Sequence, residues 1–101
     1  MYISQRRWQV LVELTKVEMI DGAPKINRIY VNPNHVMSVT EDNLKYHELK
    51  EGLLKAGVHE QFSVSRMIIY DGGQSSNVLI IMGHPKAIQE KLAGKKQILR
   101  G

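Results

Sequence analysis

The chain has 101 residues, 43% of them hydrophobic and 24% charged, which fits one domain over residues 1–101 and excludes wholesale disorder. It has no cysteine, which excludes disulfides and thiolate metal sites. A net charge of +4 directs attention to anionic partners: nucleic acid, nucleotides or an acidic protein surface.

The opening stretch, MYISQRRWQV, carries two arginines with no apolar run behind them, because Gln9 and Glu13 interrupt it. No secretory leader is expected, and the cytoplasm is the expected location. Trp8, Val10, Val12 and Leu14 alternate with Gln9, Leu11, Glu13 and Thr15. Period two predicts a half-buried strand over these eight positions. Asp21-Gly22 with Pro24 beyond it signals a turn, so a hairpin tip is expected over Ile20 to Lys25. Asn27 to Val31 reads as the second strand, stopped by Asn32-Pro33-Asn34. His35 to Thr40 reads as a third strand, and Glu41-Asp42-Asn43 offers a helix N-cap. A short inserted helix is expected over Leu44 to Ala56. Tyr46, Leu49 and Leu53 share one face, and Gly57 suits the residue after the helix. Gly52 inside it costs about 1 kcal/mol relative to alanine, enough to break the segment into two turns.

Phe62 to Tyr70 is rich in β-branched and aromatic residues and predicts a long strand. Asp71 to Asn77 (DGGQSSN) is turn chemistry, and Val78 to Met82 a further strand. That apolar run of five residues, VLIIM, is far too short to span a bilayer. Pro85 suits the first position of a C-terminal helix with Ile88 and Leu92 on its face, and Gly94 suits its end. Residues 95–101 then form a basic tail with an apolar pair, Ile98 and Leu99. The expected fold is α+β: one small antiparallel sheet of about five strands, a typical size, with the inserted helix and the C-terminal helix on one face.

The chemistry is less legible. The four histidines, His35, His47, His59 and His84, have no metal-ligand spacing, so no metal site and no cofactor are expected. No carboxylate pair, nucleophile elbow or phosphate loop is present, which argues against an enzyme and leaves no catalytic residue to name. The Gly83-His84-Pro85 connection reads either as an anion site at a helix start or as a tight strand-to-helix link. Arg28 and Tyr30 project from the same face of the second strand, and Arg66 interrupts an apolar strand. Guanidinium groups grip phosphates bidentately and aromatic rings stack on bases. The bland alternative is arginines snorkelling at a sheet edge. Trp8 is open in the same way, as a core anchor or an exposed stacking residue.

Glu13-Leu14-Thr15, Ile29-Tyr30-Val31-Asn32-Pro33, Val36 to Glu41 and the ending Val78 to Leu92 together resemble the small FlbD-like proteins of bacteria and phages. The resemblance spans Leu11 to Leu92. It departs at residues 44–61, an insertion, and at the longer DGGQSSN loop. It brings no catalytic residues. It implies a small regulatory or interaction protein, often phage-encoded, and some phage proteins of this size act as sponges for nucleotide immune signals.

The leading expectation is a non-enzymatic binding module capturing an anionic ligand such as a nucleotide signal, in counteraction of host defence. Its candidate contacts are Arg28, Tyr30, Arg66, Asn77 and Arg100. The alternatives are a protein-binding regulator of a host machine, a virion subunit and a nucleic-acid-binding protein. No membrane partner is expected. The open sheet edges and the Ile98-Leu99 tail suggest a homo-oligomer.

Overall fold

The computed structural model describes residues 10–70 and 75–100, with side chains given up to residue 94. Five strands form one antiparallel sheet: β1 (Val12–Ile20), β2 (Ala23–Val31), β3 (Val36–Glu41), β4 (Val64–Tyr70) and β5 (Ser76–Met82). Their order across the sheet is β2-β1-β5-β4-β3, so β2 and β3 are its edges. Helix α1 (Asn43–Lys55) joins β3 to β4, and α2 (Pro85–Arg100) follows β5. The expected α+β class holds.

The helices lie on opposite faces, not on one. Leu49 and Leu53 of α1 pack on Val17 and Val64, with Ile80 and Met82 beside them. Ile88 and Leu92 of α2 pack with Val12, Leu14, Val31, Met67 and Ile81. Ile80 and Ile81, adjacent in β5, belong to different clusters, and successive strand residues face opposite ways. The same geometry explains why β1 runs on to Ile20, past the expected end at Thr15. Val12 and Leu14 face α2, whereas Val17 faces α1, so the apolar alternation changes phase mid-strand. Trp8 lies outside the described residues.

The hairpin tip is Asp21-Gly22 alone, shorter than expected. Both residues have positive φ, 53° and 80°, as a two-residue type I′ turn requires. Pro24 is no turn residue. It belongs to β2 and pairs with Met19, which an edge strand permits. On the other edge, Pro33–His35 form a 3₁₀ turn, so His35 precedes β3. Ser76 and Asn77, expected in the loop, extend β5 by pairing with Tyr70 and Ile69.

Helix α1 starts where Asp42 accepts a hydrogen bond from the Lys45 N–H at 2.9 Å and gives way to Gly57 at φ 94°. Gly52 does not break it. A Cβ at position 52 would lie 2.8 and 2.9 Å from Cδ and Cγ of Pro24, so the glycine is what lets α1 lie down on β2. Helix α2 does not stop at Gly94 but continues to Arg100. One interior glycine costs only about 1 kcal/mol, and Lys, Gln, Leu and Arg after it are good helix formers. Residues 95–100 are therefore helical, and Gly101 is outside the described residues. Where β5 leads into α2, the buried Ser65 hydroxyl donates to the Gly83 carbonyl at 2.7 Å, which satisfies both groups.

The two helical glycines should respond oppositely to alanine. Gly94→Ala meets nothing within 4 Å and should gain up to about 1 kcal/mol. Gly52→Ala must displace the Pro24 ring and should lose about 1–2 kcal/mol net, because overpacking costs more than propensity returns. Denaturant midpoints compared with wild type check both signs.

A candidate binding surface on strand β2

Direct cross-strand partners share a face of the sheet. The register pairs Thr15 with Arg28, Glu13 with Tyr30 and Val17 with Ile26. Arg28, Tyr30 and Ile26 therefore lie on the face that carries α1, as do Glu13 and Thr15. Arg66 pairs with Ile80 and is on the same face. The helix covers only the middle of this surface. Toward β2 it leaves a strip of exposed side chains: Tyr30 is 58% exposed, Ile26 41%, and the Arg28 side chain 72%.

Arg28 has an acidic neighbour. Its Nε lies 3.5 Å from Oε2 of Glu13, the diagonal residue on β1. An exposed pair of this kind adds little stability. It leaves the other guanidinium N–H groups available for an anion, in the planar fork that suits phosphate. Tyr30, two residues on, presents its ring on the same side.

The remaining candidates do not converge with this pair. Arg66 stands three strands away, roughly 14 Å at the usual strand spacing. Between them lie Val17, buried, and Ile80, half-buried, under α1. Asn77 pairs with Ile69 and so lies on the α2 face, opposite the arginines. Its expected place in the loop is corrected: Asn77 belongs to β5, and its register there fixes the face it lies on. Arg100 falls in the last turn of α2, among residues whose side chains are not described.

Two grooves border α1, one beside the strip and one at the far, β3–β4 side of the sheet, and both have carboxylates at their rims, with Lys55 also beside the first. One, about 480 Å³, runs between the hairpin and α1 over Met19, Pro24 and Gly52, with Glu48 and Glu51 beside it. The other, about 240 Å³, is lined by Tyr46 and Phe62 with Glu41 and Glu60. At the start of α2, the His84 Nδ1 accepts from the Lys86 N–H at 3.2 Å and the Gly83 N–H donates to Ser63. That connection is a structural link. Among the described residues no three histidine or acidic side chains gather as metal ligands, and no helix is long and apolar enough to cross a membrane.

Sequence reading missed Glu13 and Ile26 as members of the strip. The signal was there: once Asp21-Gly22 is taken as a two-residue turn, counting back from it pairs Glu13 with Tyr30 and Thr15 with Arg28. In comparisons with known proteins, the chain matches no family model, no curated protein and no solved structure.

Arg28 and Tyr30 should be dispensable for folding. Arg28→Ala is expected to lose no more than about 1 kcal/mol, the upper range for exposed ion pairs. Urea titration checks this, and a larger loss would make Arg28 a structural residue.

Proposed function

We propose that the protein is a non-enzymatic binding module that captures an anionic ligand, such as a nucleotide signal, on the α1-bearing face of its sheet. One observation carries this reading. Arg28 and Tyr30 stand two residues apart on the same face of an edge strand, both mostly exposed, with Glu13 3.5 Å from the guanidinium. A guanidinium takes a phosphate bidentately, and a neighbouring phenol ring offers a surface on which a base stacks. The net charge of +4 adds a general attraction for such ligands. Binding is proposed in preference to turnover because the strip is open to water. Catalysis draws on reacting groups held in a water-excluded site.

A second reading, a protein-binding regulator, is favoured by a specific feature of the same strip. Ile26, and Met19 nearer the turn, are large apolar side chains left exposed on the same face as Tyr30, and aromatic, Met and Arg residues are enriched at protein interfaces.

Thermal-shift titration against cyclic and linear nucleotides separates the two. A ligand at about 100 times its Kd adds roughly 2.7 kcal/mol of stability, an easily read rise in Tm that Arg28→Ala should abolish. No shift with any nucleotide at high excess would overturn the first reading. A specific protein recovered from lysate despite nuclease treatment, and lost with Tyr30→Ala, would establish the second.

A further inference from the structure

In one copy of the chain the Arg28–Tyr30 strip carries a single arginine among the described residues, because the next described arginine on its face, Arg66, is beyond α1. The free edge of β2 offers a way to bring in a second. The Asp21-Gly22 turn makes Ile20 and Ala23 the closing pair of the hairpin, and that pair exchanges hydrogen bonds in a type I′ connection. Hydrogen-bonded and non-bonded pairs then alternate along the ladder. Ala23, Lys25, Asn27, Ile29 and Val31 direct their backbone groups to β1. Pro24, Ile26, Arg28 and Tyr30 direct theirs outward. Among the described residues, the outward groups of Ile26, Arg28 and Tyr30 have no backbone partner.

The two sheet edges are not equivalent. β3 is six residues long and its pairing with β4 shifts between Val36 and Ser38, an irregularity of the kind that blunts an edge. β2 is nine residues long with unbroken pairing from Val31 to Ala23. It is the edge fit for strand addition.

We infer that β2 pairs antiparallel with β2 of a second copy about a two-fold axis through Asn27, joining two Arg28–Tyr30 strips into one phosphate-binding surface. This rests on the anion-binding reading above for its ligand, not for the pairing. The axis follows from sequence. Centred on Asn27, the strands overlap over their whole length, with Ile26 opposite Arg28, Lys25 opposite Ile29 and Pro24 opposite Tyr30. No like charges oppose one another. The missing donor of Pro24 falls at the outer end of the pairing, where least is lost. Moving the axis to Arg28 sets two arginines directly opposite, which is unfavourable. Moving it to Ile26 shortens the overlap and leaves Tyr30 facing the turn.

With the axis at Asn27, the two Arg28 residues become diagonal neighbours on one face, about 7–8 Å apart at the backbone. Each has a Tyr30 beyond it. Two guanidiniums flanking a two-fold axis suit a ligand with two phosphate groups, such as a dinucleotide, bound once per two chains.

Cysteine cross-linking tests the pairing without background, since the chain has no cysteine. Opposed Asn27 residues would form a non-hydrogen-bonded pair with Cα atoms about 4.5 Å apart, within disulfide reach. Asn27→Cys should cross-link under mild oxidation at least tenfold faster than Lys25→Cys or Ile29→Cys alone, and a mixture of those two should cross-link with each other. Ile26→Lys, which puts a cation opposite Arg28 twice, should raise the dimer Kd at least tenfold. A wild-type monomer at high micromolar concentration in light scattering, or equal cross-linking at all three positions, would overturn the pairing. Pyrophosphate and a cyclic dinucleotide serve as ligand probes in native mass spectrometry. One probe per two chains supports the shared surface, and one per chain overturns it. A dimer that binds neither probe keeps the pairing and overturns the ligand reading.

Discussion

The two-residue turn at Asp21-Gly22 is the constraint on which the candidate site depends. Positive φ at both residues gives the hairpin the twist that its strands require and leaves a single register open to them. That register decides which side chains of β2 share a face, and it decides which backbone groups point to β1 and which to the free edge. Lengthening the turn by one residue would move Arg28 and Tyr30 to the α2 face and turn Pro24 toward β1, where its missing N–H would break the ladder.

The second organising fact is that each helix covers part of one face. Helix α2 is anchored under β1, β4 and β5 by Ile88 and Leu92. Helix α1 spans the opposite face from β4, where the Asp42 N–H reaches the Val64 carbonyl, to β2, where Gly52 rests on Pro24. Its buried contacts, Leu49 and Leu53 on Val17 and Val64, use the centre of that face. The strip of Glu13, Ile26, Arg28 and Tyr30 is what the helix leaves uncovered, so the candidate site and the packing of α1 have one geometric origin.

Much of this was legible in the residues. The class, the number of strands, the order of the helices along the chain and the shared face of Arg28 and Tyr30 follow from periodicity and cap chemistry, but the faces on which the helices lie do not. What was not legible has physical causes. The alternation in β1 changes phase because different helices bury different faces, which no single-strand pattern reveals. Pro24 reads as a turn residue until its place on an edge strand is known. Gly52 reads as a helix weakness until the proline it packs against is seen, and Gly94 as a stop although good helix formers follow it. Asn77 reads as a loop residue because DGGQSSN is turn chemistry throughout, whereas its last two residues pair in β5. The separation of Arg28 from Arg66 by the Val17–Ile80 row depends on strand order, a long-range property that local patterns do not carry.

The most direct test of this account is residue-resolved amide hydrogen exchange along β2, followed by NMR at rising protein concentration. The register predicts that the N–H groups of Lys25, Asn27 and Ile29 are protected at all concentrations through their bonds to β1. Those of Ile26, Arg28 and Tyr30 should exchange fast in dilute solution and become protected as copies pair. Protection of Ile26, Arg28 and Tyr30 in dilute solution, or loss of the alternation between the two sets, would contradict it.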